Sequence, residues 1–117
     1  VPNDTNIIIV KPRGSGTIET SLSVTTLLPN FEKQKEDLVF AIESKFGKDV
    51  ANEVRKHIEP KKERWDYLPE KYIYVEKTNQ YIWISKSQAS DISVEVMIPG
   101  YVPNTSQYDD VIVEWEN

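Results

Sequence analysis

A chain of 117 residues with 38% hydrophobic and 28% charged side chains has the make-up of one folded domain, residues 1–117, long enough to bury a core. It has no cysteine, which excludes disulfides, thiolate nucleophiles and cysteine-ligated zinc, and its net charge of −5 disfavours nucleic acid and favours a basic partner. No apolar run approaches the ~20 residues of a membrane-spanning helix, and no basic stretch leads into an apolar one, so neither a membrane span nor a signal peptide is expected.

In chain order, Asn6–Val10 (NIIIV) is β-branched on both faces and reads as a central strand. Pro12–Gly16 (PRGSG) reads as a hairpin loop. It is no phosphate loop, because no Lys-Ser/Thr pair follows and no helix begins there. In Thr17–Leu28 the residues alternate: Ile18, Leu22, Val24 and Leu28 on one face, Glu19, Ser21, Ser23 and Thr25 on the other. That predicts a long strand with one wet face. Pro29 ends it, and Asn30 is a candidate helix N-cap. Phe31, Leu38, Val39, Ile42 and Phe46 recur at helical spacing up to Gly47. Val50, Ala51, Val54 and Ile58 repeat that spacing up to Pro60. Two short helices, or one broken at Gly47, are expected, each with one apolar stripe. From Lys71 the period falls to two, predicting strands at about 71–77, 80–86, 91–98 and 110–116, with a Pro-containing loop over 99–109. The expected fold is α+β: a mostly antiparallel sheet of about six strands, ordered β-β-α-α-β-β-β-β along the chain, with two helices packed on one face.

His57 is the only histidine, and no multi-His spacing or G-x-S-x-G elbow is present. It sits near a helix C-terminus, where a positive charge suits the dipole. Asp109 and Asp110 are neighbours in sequence and would point to opposite faces of a strand. Glu114 and Glu116 share a face but lack apolar surroundings to raise a pKa. No catalytic residue, cofactor or metal site is assigned, and no enzymatic activity is expected.

Two features remain. The segment 64–85 carries Trp65, Tyr67, Tyr72, Tyr74, Tyr81 and Trp83, half of the twelve aromatic residues of the chain. If Thr78 and Asn79 make a two-residue turn, Tyr74 pairs with Trp83 and Glu76 with Tyr81, and a four-residue loop is expected to give the same register. One face of that hairpin then holds Ile73, Val75, Ile82 and Ile84, and the other holds Tyr72, Tyr74, Tyr81 and Trp83. The aliphatic face is expected under the helices, with Leu38 and Ile42. Half exposed, the aromatic face would form a patch of roughly 300–500 Å², the size at which a patch marks a contact. The second feature is charge: residues 91–117 hold six acids and neither Lys nor Arg, with Glu114 and Glu116 expected to point outward. Together they predict a non-enzymatic protein that binds a basic protein partner, in the manner of a small acidic inhibitor or immunity protein, through Tyr72, Tyr74, Tyr81, Trp83, Glu114 and Glu116. The alternative expectation is a small-ligand or saccharide site on the aromatic platform or in a cavity between helices and sheet.

Overall fold

The structure, a computed structural model, describes residues 8–10, 16–103 and 112–115, the first and last of these stretches by backbone alone. Along the chain lie β1 (Ile8–Val10), β2 (Ile18–Thr25), α1 (Phe31–Phe46), α2 (Lys48–Ile58), β3 (Lys71–Val75), β4 (Gln80–Ile84), β5 (Asp91–Met97) and β6 (Ile112–Trp115). The fold is α+β, with two helices and a mostly antiparallel sheet. Strands β2, β5, β4 and β3 stand in that order, each antiparallel to the next. Backbone pairing adds β1 antiparallel to β2, and β6 parallel to β3. The expected strand Asn6–Val10 is therefore an edge segment over Ile8–Val10 rather than a central strand. Most of the loop Pro12–Gly16 lies outside the described residues.

The core lies between the helices and one sheet face. Leu38, Val39 and Ile42 of α1 and Val50, Ala51, Val54 and Ile58 of α2 are buried against Leu22, Val24, Ile92, Val94 and Val96. Ile73, Val75, Ile82 and Ile84 are fully buried in the same cluster as Leu38 and Ile42, as their shared face in the hairpin leads one to expect. Two helices rather than one form because Gly47 takes φ 92° and ψ 174°, a conformation nearly reserved for glycine, while its N–H closes the last turn of α1 on the Glu43 carbonyl (2.9 Å).

Several local expectations need correction. Asn30 holds the N-cap position of α1 but makes no side-chain cap. Its Oδ1 instead accepts from Gln34 Nε2 (3.2 Å), and the buried Gln34 amide clamps the end of β2 by bonding both N and O of Thr25 (3.0 Å each). This clamp ends β2 at Thr25, so Leu28, expected on its apolar face, lies beyond the strand and is exposed. The register of β2 skips between Ile18 and Thr20, a bulge that reverses the alternation upstream. Glu19, expected on the wet face, consequently meets Lys45 of α1 (2.8 Å) on the helix side.

The β3–β4 connection is a four-residue loop, 76–79, and its register differs from the one expected for either loop length. Asn79 takes φ 55° there, and its N–H donates to the Glu76 carbonyl (3.1 Å). Tyr74 therefore pairs with Tyr81, and Tyr72 with Trp83. The shift is two residues, an even number, so both faces keep their composition even though each predicted pair was wrong.

Candidate interaction surface

The sheet face away from the helices carries the aromatic rows. Tyr72 and Trp83, paired across β3 and β4, are stacked with ring centroids 6.2 Å apart and planes within 11°. One step along, Tyr74 and Tyr81 lie 4.9 Å apart at 42°. Such cross-strand pairs stabilise a hairpin by ~0.2–1 kcal/mol each. The Tyr74 hydroxyl donates to Asn79 Oδ1 (2.9 Å), which ties the ring to the loop.

Carboxylates edge these rings. The Trp83 indole N–H donates to Glu70 Oε2. Glu95 of β5 is opposite Trp83 in the ladder and accepts from Ser21 Oγ of β2 (3.3 Å). The face thus grades from tyrosine through tryptophan to acid and hydroxyl.

Exposure divides the expected contact residues. Tyr74, Tyr81 and Trp83 are half-buried. Tyr72 is only 5% exposed, so it backs Trp83 rather than meeting a partner, a correction to its expected place in an open patch. Backbone pairing sets Glu114 of β6 beside Tyr74, which brings the acidic segment to the aromatic hairpin. The side chain of Glu114, and Glu116 altogether, lie outside the described residues.

The most exposed aromatics are ones that sequence reasoning counted but did not assign. Phe40 of α1, which sequence reasoning did not single out, is 57% exposed, and Trp65 is 66% exposed and Tyr67 53%, on the segment joining α2 to β3. That segment is held from within. The Lys61 side chain is fully buried, and its ammonium donates to the backbone carbonyls of Glu63 (3.1 Å), Arg64 (2.9 Å) and Asp66 (2.8 Å). Burial lowers the Lys61 pKa from its ordinary value, and the Asp66 charge opposes that shift. Asp66 Oδ2 accepts from the N–H groups of Lys62 and Glu63 (3.0 Å each). These bonds, with the charge of Lys61, hold its carboxyl below the usual range. From α1, the buried Lys35 ammonium donates to the Lys61 carbonyl (2.8 Å) and pairs with Glu32 (3.1 Å). Outside this frame the Arg64 guanidinium lies 4.6 Å from the Trp65 ring centroid. The available signal was the density of charge around one tryptophan, Lys61 to Asp66, in a segment with no period.

His57 Nε2–H donates to the Pro69 carbonyl (2.6 Å), which ties the end of α2 to the approach to β3. Among the described residues no three His, Asp or Glu side chains gather as metal ligands would, and no helix is long and apolar enough to cross a membrane. Compared with protein-family models, curated proteins and solved structures, the chain matches none of them.

Proposed function

We propose that the protein works by binding another macromolecule, a protein with a basic surface, and that it does so without catalysis, as a small acidic inhibitor or immunity protein would. The observation that carries this reading is the outer sheet face. There Tyr74, Tyr81 and Trp83 are partly open beside Glu70 and Glu95, and the β6 backbone runs alongside. Tyr and Trp supply anchors that lose little entropy when fixed, and carboxylates around them discourage self-association while steering a cationic partner. Tyr72, stacked behind Trp83, fixes the anchor ring before any partner arrives.

The test separates anchoring from steering. Partners retained by the full chain at low salt are identified, and their association is followed kinetically with variants. Trp83→Ala is expected to raise the off-rate about 5- to 150-fold, as the loss of ~1–3 kcal/mol implies, with little change in the on-rate. The double substitution Glu114→Lys, Glu116→Lys is expected to lower the on-rate and flatten its dependence on salt. A partner indifferent to both sets of changes would remove this assignment of the surface.

A second reading has its own observation. A narrow apolar cleft of about 170 Å³ opens between α1 and the β2–β5 side of the sheet, which supports binding of a small molecule on the helix side.

A further inference from the structure

The walls of that cleft are Thr20 and Leu22 of β2, Val96 of β5 and Ala41, Ile42 and Phe46 of α1, and Lys45 stands on its rim. Well-packed interiors hold few voids larger than a water molecule. An enclosed apolar cavity of about 150 Å³ accepts a body the size of benzene. Here 170 Å³, open to solvent on one side, is lined mostly by aliphatic and aromatic side chains, with Thr20 and the Lys45 ammonium as its polar groups.

Lys45 and Phe46 also line a second, wider basin of about 440 Å³, formed by the junction of the two helices and the β3–β4 loop. Lys48 and Lys77 lie on that basin and make no ion pair among the described residues, and Asp49 is the one acid on its wall. A protein of net charge −5 therefore carries a locally cationic mouth beside an apolar cleft.

The Lys45 ammonium is held by Glu19 Oε1 (2.8 Å), with both side chains partly exposed. Glu19 reaches this position only because the bulge in β2 turns it to the helix side, where Gln80 Nε2 also donates to it (3.3 Å). A half-exposed pair of this kind contributes little to stability, so its lysine is cheaply taken over by a better-placed anion.

We propose that this cleft binds a small apolar carboxylate, one aromatic ring or one branched aliphatic chain in size. The apolar body lies among Leu22, Ile42, Phe46 and Val96. The carboxylate takes the Lys45 ammonium from Glu19, with Lys48 and Lys77 adding long-range attraction. The inference deepens the small-molecule reading and is independent of the macromolecular one, which uses the opposite face of the sheet.

The test is a titration of the full chain with phenylacetate and with isovalerate, followed by amide and methyl chemical shifts. Benzyl alcohol supplies the ring without the charge, and acetate the charge without the ring. Saturable shifts are expected at Leu22, Ala41, Ile42, Phe46 and Val96 with the two carboxylates, at least tenfold weaker binding of benzyl alcohol, and no saturation with acetate. Lys45→Gln should raise the dissociation constant at least tenfold. Ala41→Leu, which fills the cleft, should abolish binding while the amide spectrum stays that of the folded chain. Benzyl alcohol binding as well as phenylacetate would overturn the ligand class. Shifts that fail to saturate, or that survive both substitutions, would overturn the site. Loss of binding at the outer sheet face would leave these results unchanged, so the two readings fail separately.

Discussion

Lys61 and Lys62 are adjacent, and the fold treats them in opposite ways. Lys62 pairs with Glu59 at the surface (2.5 Å), whereas Lys61 is enclosed by three backbone carbonyls and has no carboxylate in contact among the described residues. Enclosing an ammonium is costly, but an unpaired buried carbonyl costs ~1–3 kcal/mol as well. Lys61→Met keeps the length of the side chain and removes its donors. The expected result is a net loss of about 2–4 kcal/mol in urea unfolding, with faster amide exchange across residues 61–67. An unchanged midpoint would mean that the lysine does not hold the loop. Asp66 gives the same loop a dependence on pH. Its folded pKa lies below the ordinary 3.8, so its contribution is present above that value and is lost as pH falls through the lower folded pKa. The amide resonances of Lys62 and Glu63 should report a midpoint below 3.8 that vanishes in Asp66→Asn. Neither role was legible in the sequence. Lys61, Lys62 and Arg64 look alike there, and only the convergence of three carbonyls distinguishes one of them. Ile82 was legible, because its place in a period-two run decides its face whatever the register.

Among the elements, periodicity identified the types and missed the joints. The helical spacing of Phe31 to Phe46 and of Val50 to Ile58 is an energetic requirement, since those residues must share one buried stripe. Where β2 ends and how the β3–β4 loop closes depend on single side chains, the Gln34 clamp on Thr25 and the left-handed Asn79, which carry no period. The bulge at Glu19 is of the same kind, for it preserves the composition of the strand while exchanging its faces. Gly47 is the joint that could be read, as a glycine between two apolar stripes. A Cβ there would meet no atom within 4 Å, so the penalty for Gly47→Ala is purely conformational. The expected loss is ~1–3 kcal/mol, read from thermal or denaturant unfolding. No loss would mean that α1 and α2 can join at another angle.

For the molecule as a whole, the layering of two helices on one sheet face was legible from the match between their stripes and the aliphatic side of the hairpin. The order of the strands was not, because period-two runs do not name their neighbours. Its consequence is that β6 pairs with β3, which brings an acidic segment next to the aromatic rows. The placement of β2 against β5 has another. That ladder joins residues 18–25 to 91–97, so both helices and the β3–β4 hairpin lie inside one long loop that it closes. Closing a loop of that length has an entropic cost that must be met before the pairing returns any energy. The local β3–β4–β5 meander can form first, and β2 arrives late. In stopped-flow folding, Ile82→Ala, worth ~2–4 kcal/mol, should slow folding. Leu22→Ala should chiefly speed unfolding, because its contacts form after the barrier. Equal slowing of folding by both would place β2 in the nucleus. A late β2 also makes the exposed edge of β5 a transient feature of every folding event, so the time that edge spends unpaired sets how readily concentrated chains capture one another before they finish folding.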